Sequence, residues 1–251
     1  ALRLALENFW GIIKSSRALA EFNADALAEQ VDASVHIAVR WLQRSFPETM
    51  TPAFSELESN RLINLLGSYL LLEKERSPFE TLATEQLLEW ENGAIKLKLK
   101  VDRVDLLDDG TLALIDYKTG RRGGKITDYR WFDDRPEDLQ IPLYQLTLSE
   151  QSDKNLSAAL ICQINAENIS YVGATDLENF HPALDPLTKA RGFDGGWPEL
   201  QQQWNAVVAS IAAEFSQGLL SVTPTRGSAT CQYCKLAGLC RVGEQSELNA
   251  L

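Results

Sequence analysis

The sequence predicts a mixed α/β core with extra helices at both ends. Three observations carry this. Residues 95–117 alternate like two strands around an Asp-Asp-Gly turn. Two further apolar runs, 156–165 and 169–174, read as strands joined at Ala166-Glu167-Asn168. Long stretches with helical periodicity flank these strands on both sides, a pattern of layered helices on a sheet.

Residues 1–20 and 24–46 read as two amphipathic helices. Asn23 or Asp25 caps the second, and Leu27, Val31, Val35, Ile37 and Trp41 form its apolar stripe. After the break at Pro47 and Pro52, a helix over 54–76 presents Leu57, Leu62, Leu65, Leu66, Tyr69 and Leu70 and closes at Ser77-Pro78. Residues 79–90 hold a candidate strand carrying Glu85.

In the central hairpin, Ile95, Leu97, Leu99 and Val101 alternate with Lys96, Lys98, Lys100 and Asp102, the signature of a strand with one buried face. The parity slips at Val104, which predicts a bulge or strand end near Arg103. Asp108-Asp109-Gly110 turns the chain into a strand over 112–117, and Thr119-Gly120 ends it. Because strand side chains alternate, Asp116 and Lys118 share a face, and the hairpin can bring Asp102 to it.

A Gly- and Arg-rich loop, 121–136, follows; a loop beside carboxylates is a place to touch a ligand. Pro142 suits the first turn of a helix running to about Ser149, with Gln140 near its start and Tyr144 one turn on. Residues 176–196 read as an irregular insertion, and 197–217 as a helix ended by Gly218. The expected organisation is one domain over 1–251: a helical part (1–78), a core (79–175), the insertion (176–196), then a helix and cysteine tail (197–251).

A length of 251 residues suits one large domain, and 45% hydrophobic with 24% charged residues is ordinary for a soluble globular chain. No apolar run reaches the roughly 18 residues of a membrane span. Four cysteines, three of them clustered, suggest metal ligation rather than a disulfide framework, and a cytoplasmic protein. The chain opens at Ala1 inside a helical pattern, so a piece of a longer protein is expected. A net charge of −11 argues, alone, against nucleic acid. Yet residues 96–135 hold ten of the 24 Lys and Arg against eight Asp, so the basic residues gather where the candidate chemistry lies.

Two carboxylates are hard oxygen ligands suited to Mg²⁺ or Mn²⁺, with a backbone carbonyl and waters completing the shell. Such an ion acidifies a bound water and stabilises charge on a phosphate. Lys118 would orient or deprotonate that water, or offset negative charge. The ordinary alternative is a surface ion pair, Asp116–Lys118 or Asp102–Arg103, worth little. Zinc held by Cys231, Cys234 and Cys240 plus one outside ligand is one reading of the tail. Cys162, inside an apolar strand, reads as a buried structural thiol.

VDRVD (101–105), LIDYKTG (114–120) and QIPLY (140–144) together resemble the PD-(D/E)XK nuclease superfamily, most closely its RecB-like exonuclease domains. The tail CQYCKLAGLCR, with C-x2-C-x5-C spacing, resembles the iron–sulfur staple of the AddB-type branch, and residues from Trp197 onward resemble a group of DNA repair proteins. The resemblance covers about 80–251 well and the N-terminal helices loosely. It implies a restriction-endonuclease-like core: a mixed sheet flanked by helices. It implies that Asp102, Asp116 and the carbonyl of Tyr117 hold metal, that Lys118 is the catalytic lysine, and that Gln140 and Tyr144 form the family's Q-x3-Y motif. Glu85 weakly matches an upstream acidic residue. It further implies a [4Fe–4S] cluster in the intact protein with Cys231, Cys234 and Cys240 as three ligands. The family's first-helix His, in a G-x-x-x-H stretch, is expected upstream of Ala1, leaving His36 and His181 as core or surface residues.

The function expected is a metal-dependent DNA exonuclease acting on single-stranded ends in recombination or repair, beside a helicase-like region or subunit. Arg121, Arg122, Lys125 and Arg130 would contact phosphates. Tyr129, Trp131 and Phe132 would either stack on bases or anchor the loop. The alternative is a non-catalytic DNA-binding or interaction module on the same fold.

Overall fold

The alternating central segment folds into the middle of a five-stranded mixed sheet, ordered β1-β2-β3-β4-β5. A computed structural model describes residues 1–120, 131–189, 192–219 and 221–242. Strands β1 (Phe79–Asn92) and β2 (Ile95–Leu107) pair antiparallel around a tight turn where Gly93 takes φ 58°, a conformation glycine adopts without penalty. Strand β3 (Leu112–Lys118) runs antiparallel to β2 and parallel to β4 (Leu156–Ile164). The crossover between β3 and β4 contains helix α5 (Gln140–Gln151), and β5 (Ile169–Thr175) pairs antiparallel to β4.

Strands β3 and β4 are buried along almost their whole length, as central strands covered on both faces should be. One face carries α1 (Leu2–Ile13), α2 (Ser16–Glu21), α3 (Ala24–Ser45) and α4 (Pro52–Lys74). There Phe9, Trp10, Leu62 and Leu66 share a core with Ile115, Tyr117, Leu160 and Cys162. The other face carries α5 and α6 (Trp197–Ser216), whose Ile141, Leu148, Leu200 and Trp204 share a core with Leu114, Ala159 and Ile161. Two short helices, α7 (Ser228–Cys231) and α8 (Ala237–Cys240), form the cysteine tail. No described helix is long and apolar enough to cross a membrane.

Three local expectations change. The single helix over 1–20 is two helices, because Lys14 turns left-handed (φ 55°) and the Ser15 hydroxyl then caps α2 by accepting from the Ala18 N–H. On α3, Asn23 is the cap, accepting from the Ala26 N–H at 2.8 Å. Val31 and Val35 are buried as expected, but Ile37 and Trp41 are about half exposed, and Leu57 on α4 is also exposed. The slip in β2 is real, yet the strand does not end there. Val101 joins the α5–α6 core, whereas Arg103 stacks over Trp10 on the opposite face. On β1, opposite this exchange, Glu85 takes φ 52° and the pairing register shifts between Thr81 and Ala83.

Candidate active site

Pairing of Arg103 with Ile115 sets Asp102 on β2 beside Asp116 on β3. Both carboxylates are buried. Asp102 Oδ2 accepts the Tyr117 N–H at 2.7 Å. From α1, Arg3 reaches between them. Its Nη2 donates to the Tyr117 carbonyl at 3.0 Å and lies 3.2 Å from Asp102 Oδ2 and 3.8 Å from Asp116 Oδ1. Three oxygens from two strands thus surround one cationic nitrogen.

Lys118 extends from the end of β3 on the same face as Asp116, with Nζ 2.8 Å from Asp116 Oδ2. Its other partner is Gln140 Oε1, in the first turn of α5. The Gln140 amide donates to Asp116 Oδ1 at 2.9 Å and to Tyr144 Oη at 2.8 Å. Tyr144 Oη in turn donates to the Lys100 carbonyl at 2.7 Å, tying α5 back to β2. The structure therefore brings together Asp102, Asp116, Tyr117, Lys118, Gln140 and Tyr144. Glu85 adjoins them through an ion pair with Lys100.

Burial, and then the Asp116 charge, push the Asp102 carboxyl up to about 7, against the Tyr117 N–H and Arg3. Burial also raises Asp116, while Lys118 and Arg3 hold it down. Burial raises the Tyr144 phenol. Two carboxylates this close and this dry need compensating positive charge. Asp102 Oδ1 is buried without a hydrogen-bond partner, and Asp116 Oδ2 has only its ion pair with Lys118. The donor set of two carboxylates and a carbonyl, with one carboxylate oxygen unpartnered, fits a hard divalent cation. Arg3 supplies a positive charge at that point.

Neither ordinary alternative is a surface pair. Asp116–Lys118 exists, but its carboxylate is fully buried. Arg103 turns away from Asp102 into a buried network. Its guanidinium forks onto Asp105 at 2.6 and 2.7 Å and reaches Glu73 at 3.0 Å and Tyr69 at 2.8 Å. Arg76 bridges Glu73 at 3.1 Å and Asp105 at 2.9 Å, and Tyr171 also bonds Glu73. The Tyr117 hydroxyl meets this network at Tyr69, 3.0 Å away, so the residue whose carbonyl faces the site is held from behind. Sequence reading missed both Arg3 and this network. The one signal for the latter was charge inside an otherwise apolar strand.

Arg121, Arg122, Lys125, Tyr129 and Arg130 lie outside the described residues. Trp131 is fully buried edge-on to Trp204, so it anchors the loop and has no free face for a base; Phe132 stacks on Phe193. Cys231, Cys234 and Cys240 are free thiols, and among the described residues no three His, Cys, Asp or Glu side chains converge as a metal-ligand set. Cys162 is buried in β4, its thiol pushed up by burial. His36 is exposed and His181 buried.

The mixed sheet thus delivers Asp102, Asp116 and Lys118 to one point. The chain belongs to the PD-(D/E)XK nuclease superfamily, whose family model matches residues 5–241. Among solved structures it is similar to a "putative exonuclease" from Eubacterium rectale (13% identity, 93% of this chain and 80% of that one, TM-score 0.41). It is also similar to SSO0001 (15% identity, 81% and 80% covered, TM-score 0.32). A search of curated proteins finds no match.

Proposed function

We propose that this nuclease is a Mg²⁺- or Mn²⁺-dependent DNA exonuclease of the RecB-like kind. It would act on single-stranded ends in recombination or repair, in the cytoplasm, with a helicase-like region or subunit as its partner. The observation that carries this reading is the convergence of Asp102 Oδ2, Asp116 Oδ1 and the Tyr117 carbonyl on one positive charge, with the Lys118 ammonium 2.8 Å from Asp116.

Asp102, Asp116 and the Tyr117 carbonyl would hold the ion. When bound, it supplies an acidified water and charge neutralisation at the scissile phosphate. Lys118 would orient that water or offset charge on the phosphate; Gln140 fixes the Lys118 side chain, and Tyr144 fixes Gln140. For the tail, the C-x2-C-x5-C spacing supports an iron–sulfur or zinc site completed by an outside ligand. Absorbance near 400 nm of anaerobically purified protein, with metal analysis, separates the two.

One observation favours a second reading. Arg3 already fills the point where the oxygens meet, and a guanidinium fixed there would leave a non-catalytic nucleic-acid-binding module. The experiment is incubation with end-labelled single- and double-stranded DNA in Mg²⁺, Mn²⁺ or EDTA. Metal-dependent products shortening from one end support the exonuclease. Mn²⁺ binding without any cleavage refutes it, and binding of DNA without Mn²⁺ binding supports the module.

A further inference from the structure

We propose that the groove between α1 and α3 is a binding track for a single nucleic-acid strand, leading into the carboxylate site. This rests on the nuclease reading and names where its substrate lies. The groove encloses about 720 Å³. Its α3 wall presents His36, Ile37, Arg40, Trp41 and Arg44. These positions share one helical face, the face whose Ile37 and Trp41 do not enter the core.

The chemistry of this wall matches a single strand. Arg40 and Arg44, a turn apart and exposed, have no ion pair among the described residues, in a chain of net charge −11. Unpaired guanidinium groups suit phosphate oxygens. Between them stands Trp41, 50% exposed, an aromatic face on which a base can stack. Cationic groups interleaved with an exposed aromatic are what strand binding without sequence preference uses. Glu7, on the opposite wall, is the one carboxylate among the described residues lining the groove.

Position links the groove to the chemistry. Its α1 wall runs from Leu4 to Ile12, on the order of 12 Å along the helix. Leu4 directly follows Arg3, whose guanidinium lies among Asp102, Asp116 and the Tyr117 carbonyl. Thr84, also lining the groove, pairs with Arg103 and precedes Glu85 beside the site. At Gly11 the α1 wall is open, since a Cβ there would meet nothing within 4 Å. A strand lying against Trp41 and the two arginines would thus have its end directed at the carboxylates.

The test is fluorescence anisotropy of a fluorescein-labelled oligothymidylate in EDTA, where no metal-dependent cleavage occurs, across a salt series. Arg40→Ala/Arg44→Ala is expected to weaken binding at least tenfold and to reduce the log–log salt slope by about 1.4, about 0.7 for each phosphate no longer neutralised. Trp41→Ala is expected to weaken it roughly fivefold or more with the salt slope unchanged. Arg40 and Arg44 are exposed, so their replacement should leave Tm and Mn²⁺ affinity as in wild type. Trp41 is half buried and packs edge-on against Phe46, so unchanged Mn²⁺ affinity is the control for its replacement. Variants that bind the strand with wild-type affinity and slope overturn the proposal and assign the face to a protein partner. Wild-type protein that binds no strand overturns the proposal, while cleavage in Mn²⁺ still decides the nuclease reading separately. Weakened variants in a protein that binds Mn²⁺ but never cuts leave the track standing and remove only the catalytic reading.

Discussion

Arg3 shows most clearly how a single residue shapes this site. Its Nη2 addresses the same three oxygens that would ligate a cation, so the two positive charges compete. Arg3→Ala should therefore bind Mn²⁺ roughly fivefold tighter, the ~1 kcal/mol typical of a partly exposed ion pair at its strongest. Titration calorimetry that finds equal or weaker affinity would show that Arg3 does not share the position. Asp102 gives a second prediction. Its carboxyl is raised to about 7 from 3.8, so its contribution to stability is full at low pH and is lost as pH rises across that interval. Without metal, Asp102→Asn should raise Tm at pH 8 by on the order of 5 °C and flatten the profile across that interval. Added Mn²⁺ should stabilise wild type only. A variant no more stable than wild type at pH 8 would contradict the assigned strain. Asp102, Asp116 and Lys118 were legible in sequence because they lie on consecutive strands around a recognisable turn. Arg3 was not, since its reach across 99 residues to Asp102 follows from how α1 docks.

At the scale of elements, alternation gave the central hairpin and helical spacing put Gln140 and Tyr144 on one face of α5. Periodicity failed where a local backbone choice intervened. It ran straight through Lys14, although Ser15 is a helix-capping residue, and it counted Ile37 and Trp41 as core because a stripe in sequence does not say which part of it is covered. Strand β5 holds a comparable local constraint. A Cβ on Gly173 would lie 2.4 Å from the Ala159 carbonyl oxygen and 2.8 Å from the Leu160 Cα, both backbone atoms of β4. The sheet must spread to admit it. Gly173→Ala should cost about 1–3 kcal/mol, read as a lower urea midpoint with unchanged slope; a wild-type midpoint would mean the strands separate freely.

Across the whole molecule, the helical layer and the sheet meet in buried charge as well as in apolar packing. Glu73 on α4 and Arg76 just beyond it lock onto Arg103 and Asp105 of β2, all with fully buried side chains. Removing one partner strands the other charges without water, so Glu73→Ala should destabilise by about 3–5 kcal/mol. A loss below ~1 kcal/mol in chemical unfolding would show that water reaches the network. The sequence predicted helices beside a sheet, but not this joint, because its members lie far apart in the chain and only packing brings them together.

The central claim is that Lys118, presented by β3 and held by Gln140, performs chemistry on a phosphodiester at the Asp102–Asp116 site. The most direct measurement compares single-turnover cleavage of end-labelled single-stranded DNA in Mn²⁺ by wild type and Lys118→Ala, with Mn²⁺ affinity measured on both. The expected result is cleavage by wild type and a loss of about 10²–10³-fold or more in the variant, while both bind the ion. Cleavage by Lys118→Ala at the wild-type rate, or a wild-type protein that binds Mn²⁺ and cuts nothing, would contradict it.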